Sequence, residues 1–376
     1  MKKNTLTIIA ALLMATTFFA QTVTTFTEGT PDDGIAIDNN GNIYCSNYVG
    51  DTVFKFTPSG DATPFITGLN TPNGLAFNSN QDLYVCDGQG NTIYKYDING
   101  ALLDSYPTAN HPSGIIKSFT NEDMIFTQFS GDVINRLEPD GTITTISAAP
   151  ELNGPVGLAY DSDGDLYVGN YTDREIYRVL ANGDLEYIAT VPTDGGALPN
   201  LGFIAFGQGF LWGTTMGSDK IFKINPNGVD DFELFAGSTQ GSLDGDISEA
   251  TFHTPNGIAF NDAEDTMYIT DFGSKNLRII SDIELGIGDQ GLNKNRFLIF
   301  PNPAEKVLHI KLKAHNSEEY SIKIINPVGE IVFSSKKTIL NNIEEEIIQI
   351  DSLNSGVYFV TLSSKNYSET YKIIKK

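Results

Sequence analysis

Six residues carry side chains whose types allow shared chemistry: Asp33, Asn47, Asn73, Asp87, Asn256 and Asp271. Three are carboxylates and three are amides. Gathered in one place, they form a hard-oxygen set of the kind Ca²⁺ accepts. Asp33, Asn73 and Asn256 each stand directly before a glycine and make the narrower candidate set for a metal. The same residue types also cap turns and strand ends, so a structural role is the competing reading. Whether the six can meet depends on the elements that carry them.

Those elements repeat. Pro72-Asn73-Gly74-Leu75-Ala76-Phe77 is followed by a polar turn, then Leu83 to Asp87, a second turn, and Thr92 to Tyr96. Such runs read as short β-strands. The Pro-x-Gly corner recurs as Pro31 to Gly34 (with one extra residue), Pro112 to Gly114, Pro155 to Gly157 and Pro255 to Gly257. A degenerate copy begins near Leu201, where Pro199 and Gly202 allow two registers. A period near 40 residues with several strands per period predicts an all-β, six-bladed β-propeller.

In a blade the first strand leaves one face and the second returns to it. One ring at the mouth is therefore Asp33, Asn73, Ser113, Val156, Gly202 and Asn256, and the second is Asn47, Asp87, Gln128, Asn170, Thr214 and Asp271. The last copy has no fourth strand of its own. Thr22 to Thr27 is expected to supply it and close the ring, which also removes open sheet edges.

The formal charge of the 376 residues is −23. Residues 21–294 hold 11 basic and 38 acidic side chains, while residues 295–376 hold 11 and 9. Two compositions indicate two domains. So acidic a surface repels phosphates, which excludes nucleic acid as an expected partner. Lys2, Lys3, the apolar run Leu6 to Phe19 and Ala20 form a secretory signal peptide over residues 1–20. No later run approaches the length of a membrane span. Cys45 and Cys86 lie on second strands of adjacent blades; export permits a disulfide, and buried free thiols are equally compatible.

Other catalytic signatures are sparse. No nucleophile elbow, phosphate loop or zinc spacing occurs. His111 and His253 each precede a corner closely and are candidate bases or ligands at the mouth. Asp161-Ser162-Asp163-Gly164-Asp165 falls at a hairpin and reads as a turn, without the downstream ligands of an EF-hand.

Asp244-Gly245, Ala250 to Ala259, Met267 to Asp271 and Asn276 to Ile280 together resemble an NHL repeat, and the likeness extends over about residues 30–283. It implies a six-bladed NHL-type propeller, a fold used as a binding platform. The pattern is also similar to the senescence marker protein/gluconolactonase family, whose Asn and Asp before a corner glycine help hold a divalent metal. By that resemblance Asp33, Asn73 and Asn256 match the motif type, while Glu28 is the nearby candidate for the family's glutamate and fits its spacing poorly.

Residues 297–376 change texture. Phe300-Pro301-Asn302-Pro303-Ala304 opens them, Gly356-Val357-Tyr358-Phe359-Val360 follows, and Lys372 to Lys376 ends them. The alternating runs predict a small seven- or eight-stranded, Ig-like β-sandwich. The segment resembles the C-terminal sorting domain of the type IX secretion system. The resemblance implies recognition by an outer-membrane translocon, then cleavage or surface attachment by a sortase-like peptidase. The expected organisation is signal peptide 1–20, propeller 21–285, linker 286–296 and sorting domain 297–376, as a secreted or cell-surface monomer. Its expected function is recognition of a small-molecule, glycan or protein ligand at the axial funnel. The alternative is a Ca²⁺-dependent lactonase or related hydrolase at the same place.

Overall fold

The computed structural model describes residues 21–27, 31–195, 198–283, 297–300, 304, 306–313, 318–327, 329–339, 343–363 and 368–376. The expected signal peptide, Glu28 and the linker lie outside these. The chain divides into two compact units at residue 284.

The first unit is six antiparallel sheets in chain order. The second blade, Pro72–Phe77, Leu83–Asp87, Thr92–Tyr96 and Leu102–Pro107, shows the plan. Its first two strands are almost wholly buried, and its outermost is exposed at five of six positions. Hydrophobic content therefore falls from the axis outward, as the strand sequences do. Each innermost strand touches that of the next blade, and Pro255–Phe260 of the sixth touches Ile35–Ile37 of the first. The ring is closed.

Closure uses the N-terminal strand as expected. Thr22–Thr27 pairs antiparallel with Asn276–Ile280, Val23 opposite Ile280 and Thr24 opposite Ile279. An unexpected fifth strand, Gly245–Asp246, adds outside it. This short strand belongs to the stretch between the fifth and sixth repeats, and Asp244 there accepts hydrogen bonds from the Thr25 N–H and hydroxyl. Arg278, wholly buried, binds Asp244 at 2.9 Å and the carbonyls of Thr251 and Leu243 at 2.9 and 3.0 Å. The guanidinium fork thus ties the insertion to the closing blade.

The corner glycines serve crowding rather than a special turn. None of Gly34, Gly74, Gly114, Gly157 and Gly257 has positive φ. A β-carbon on any of them would instead collide with the inner strand of the following blade, such as the Ser113 carbonyl beyond Gly74, the Val156 carbonyl beyond Gly114 and the Asp33 carbonyl beyond Gly257. Pairing decides the fifth blade's register. Leu201 lies opposite Thr215 as Pro255 lies opposite Asp271, and Ile204 opposite Gly213 as Ile258 opposite Ile269. Gly202 therefore holds the position of Asn256, and Phe203 that of the corner glycine. Hydroxyls reinforce these seams: Ser46, Thr214 and Thr270 donate to the carbonyls of Asn73, Asn256 and Asp33, all at 2.6 Å.

Cys45 and Cys86 are free and buried on opposite sides of their blades. Cys45 packs with Ile43, Phe56 and Leu277, and Cys86 with Ile93, Ile115 and Met124. At the Asp161 hairpin, the Asp163 and Asp165 N–H groups both donate to Asp161 Oδ1 at 2.9 Å, so that carboxylate is a turn acceptor.

The second unit has seven described strands in two sheets. Phe297–Phe300, Val307–Lys313 and Ile343–Gln349 form one. Ile331–Ile339, Glu318–Ile325, Gly356–Ser363 and Ser368–Lys375 form the other. Leu308, Ile310, Ile322, Ile324, Val360, Leu362 and Ile373 share one core. Ala304 is bonded to the terminal strand through Ile374 and Lys376, which joins the beginning of this unit to its end.

Candidate functional site

The propeller holds a cavity of about 350 Å³ lined from every blade except for the second-strand position of blade two. That volume lies at the small end of organic-ligand pockets. Its floor includes Asp33, Asn73, Ser113, Val156 and Asn256, the residues before five of the corner glycines. Phe203 represents the fifth blade there. These side chains meet because their inner strands are packed glycine to backbone around the axis.

Asp33 is 2% exposed, and its Oδ1 accepts the Asn256 side-chain amide at 2.7 Å. Asn73 donates its amide to Ser113 Oγ at 3.0 Å, while its Oδ1 is buried without a partner. Burial, aided by the adjacent Asp32, pushes the Asp33 carboxyl well above the usual range, against the opposing pull of Lys275 and Asn256. Lys275 itself pairs with Asp32 at 2.5 Å and lies over the Phe272 ring.

The wall comes from residues one position beyond the second ring read from the sequence. Tyr48, Phe129, Tyr171, Met216 and Phe272 line the cavity, the last four directly after the end of a second strand and Tyr48 two residues after Ser46. Asn47, Asp87 and Asp271 are not among the lining residues. Side chains alternate along an extended chain, so adjacent residues face opposite ways. Asp87 turns back to accept the Asn70 N–H, and Asp271 the His253 N–H at 2.7 Å and the Ser274 hydroxyl at 2.8 Å. Gln128 and Asn170 donate to the carbonyls of Ala109 and Glu151. These four brace the loops that lead into the corners, and Asn47 sits against Gly50 in its own turn. In the fifth blade the residue at this position is Thr215, opposite Leu201, and not Thr214.

A second device aims the wall. Thr71, His111, Gly154 and Thr254, each just before a corner proline, have positive φ between 61° and 76°. Left-handed backbone is costly for threonine in particular. It directs their carbonyls to accept the N–H of Gly88, Phe129, Tyr171 and Phe272 at 2.9–3.0 Å. Asn200 does the same for Met216, and the extra residue of the first blade places the Asp32 carboxylate on the Tyr48 N–H.

At Gly88 blade two has no side chain to contribute, and His111 occupies the space: a β-carbon on Gly88 would collide with its imidazole. His111 lines the cavity with Tyr48 and Phe129 beside it, ring centroids 6.2 and 5.9 Å away. Burial holds the imidazole below its ordinary pKa despite the charge of Asp87, so it is neutral near pH 7. His253 packs over Gly273 and is not among the lining residues.

Ca²⁺ takes about six to eight oxygen ligands. The floor offers one carboxylate, one unpartnered amide oxygen from Asn73, and an Asn256 whose nitrogen is committed to Asp33. Among the described residues no group of three His, Cys, Asp or Glu could hold a metal ion. This donor set falls short of a Ca²⁺ cage, and no chemistry is assigned to a metal here.

The fold and site define a closed six-bladed propeller with an aromatic axial cavity. Residues 9–242 match the virginiamycin B lyase family, and the chain belongs to that family. Residues 298–376 match the secretion system C-terminal sorting domain, which sends the protein through the type IX machinery to the cell surface or the medium. No curated protein matches the chain. Among solved structures it is similar to a gluconolactonase of Xanthomonas campestris, at 21% identity over 69% of this chain and 89% of that one, TM-score 0.53. It is similar to virginiamycin B lyase of Staphylococcus aureus, at 18% identity over 69% and 98%, TM-score 0.52. An auxiliary nutrient binding protein of Bacteroides ovatus is 19% identical over 71% and 78%, TM-score 0.58. At these identities the likeness is one of fold.

Proposed function

We propose that this exported propeller is a recognition module that captures a compact organic ligand in its axial cavity. The observation that carries this reading is the wall of Tyr48, Phe129, Tyr171, Phe203 and Phe272 around a polar floor. Large rigid rings supply contact area at low entropic cost, and a few polar groups fix orientation. Thermal unfolding of the full chain against a panel of small aromatic amines, alcohols, acids and lactones tests it. A ligand at a hundred times its Kd adds about 2.7 kcal/mol of stability. Tyr171→Leu is expected to abolish the shift. No shift from any compound would sink the reading.

A lactone- or ester-opening enzyme is the second reading. It is supported by the neutral His111 imidazole lining the cavity, a group able to take a proton, and by membership of a lyase family. Turnover of any lactone or cyclic ester that disappears in His111→Ala would establish it over pure recognition. Running the assay with and without chelator separates metal-dependent chemistry from action by the side chains alone.

A further inference from the structure

The chemistry of the cavity narrows the class of ligand, given the recognition reading above. Asp33 Oδ1 accepts the Asn256 amide, and its Oδ2 takes no hydrogen bond from any described residue. On the neighbouring inner strand Asn73 Oδ1 is buried with no donor. Both residues are at least nine-tenths buried and line the cavity. Asn73 is an acceptor in want of a donor. A cation beside Asp33 would counter the burial that raises its carboxyl and favour the ionised, accepting form.

The wall has the matching preference. The faces of Tyr48, Phe129, Tyr171, Phe203 and Phe272 carry the negative side of the ring quadrupole, which attracts cations. The acidic excess of residues 21–294 adds a field of the same sense and concentrates cations at the mouth. Lys275, which lies over the Phe272 ring, is already engaged by Asp32. His111, the one basic side chain lining the cavity, is neutral near pH 7.

We infer that the cavity takes an organic ammonium: a protonated primary amine on a compact apolar or aromatic body, its N–H donors on Asp33 and Asn73 and its body against the rings. An anion would meet acceptors and ring faces. A bare metal ion would find too few oxygens and leave the aromatic wall unused.

Isothermal titration of the full chain with 2-phenylethylammonium, 2-phenylethanol, 3-phenylpropionate and CaCl₂ tests this. The ammonium is expected to bind at least tenfold tighter than the alcohol, and the carboxylate not at all. Asp33→Asn keeps the shape and the Asn256 contact, and it is expected to erase the tenfold preference of the ammonium over phenylethanol. If that variant does not fold, Asn73→Ala supplies the comparison, with a severalfold loss for the ammonium alone. Equal or tighter binding of the alcohol or the carboxylate overturns the inference and leaves the recognition reading standing. So does Ca²⁺ binding that excludes the ammonium and is lost in Asp33→Asn. Absence of heat from all four probes overturns both.

Discussion

Asn256 on the sixth blade donates its side-chain amide to Asp33 on the first at 2.7 Å, across the seam where a chain of more than two hundred intervening residues closes on itself. The contact makes the ring closure and the cavity floor one structure. From the same sixth blade the Thr270 hydroxyl donates to the Asp33 carbonyl at 2.6 Å and accepts the Gly257 N–H at 2.8 Å. Asp33 is held by its backbone and by one oxygen of its side chain. Its other oxygen is left for what enters the cavity.

Inner-strand crowding makes Gly114→Ala a severe substitution. Its methyl group would run into the Val156 carbonyl, and backbone cannot step aside as a side chain can. A loss of about 3 kcal/mol or failure to fold is expected, in line with overpacking of a tight core. Gly68→Ala is the control, since Gly68 has φ of 83° but nothing within 4 Å of a β-carbon. Denaturant titration of both variants checks it. Equal, mild losses would show that close approach is not what the corner glycine serves.

Closure should depend on Arg278. Arg278→Met removes the donor to Thr251, Leu243 and Asp244 and the charge 3.7 Å from Asp271. Breaking so buried a pairing costs on the order of 3–5 kcal/mol. Hydrogen exchange is expected to rise first in Thr22–Thr27 and Gly245–Asp246, the strands the guanidinium ties in. Exchange that rises evenly around the ring would contradict a local closure role.

Stability should decline from mildly acid to neutral pH. Burial raises the Asp271 carboxyl to about 6, only partly offset by Ser274, the His253 N–H and Arg278. Between its unfolded value of 3.8 and about 6, the folded chain keeps a proton that the unfolded chain has released. Stability is therefore full below the unfolded pKa and falls as pH rises through that window, by at most roughly 3 kcal/mol. Asp32 and Asp33, also raised by burial, act in the same direction. Asp38 and Asp244 are lowered by the hydrogen bonds they accept and act oppositely, their contribution being lost as pH falls below the ordinary carboxylate value. Tm measured from pH 3 to 8 is expected to peak near pH 4, and Asp271→Asn to flatten the fall between 4 and 6. An unchanged slope in that variant would rule Asp271 out as its source.

Gly88→Ala offers a change in the cavity with little change in the fold. Its methyl group displaces the His111 imidazole, the far end of a side chain, toward Tyr48 and Phe129. Affinity for 2-phenylethylammonium is expected to drop about tenfold with a Tm change of only a few degrees. Unaltered affinity would mean that the imidazole does not border the bound ligand.

Much of the architecture was legible in the linear chain because a propeller repeats a local rule. The corner glycines, the six periods and the alternation of the tail each depend on residues a few positions apart, and the closing strand Thr22–Thr27 was legible as the strand the last repeat lacked. The floor residues Asp33, Asn73 and Asn256 could be named for that reason. The aromatic wall could have been found too, since Tyr48, Phe129, Tyr171 and Phe272 hold one repeat position, a residue past the polar ring. Hydrogen-bonding types drew attention to Asp87 and Asp271, and their neighbours line the cavity instead.

Tertiary structure decided what depends on contact between distant segments. A one-residue step along a strand reverses a side chain's direction, so whether Asp87 or Gly88 looks down the axis is set by how the strand docks on its neighbours. Only the pairing of Leu201 with Thr215 selected one of the fifth blade's two registers. Only closure brought Asp244 to Thr25, and only the stacking of blades turned Cys45 toward Leu277 and Cys86 toward Ile115, away from each other. Periodicity specifies each blade because its strands are adjacent in the chain. The cavity's polarity belongs to six blades at once, and no single repeat contains it.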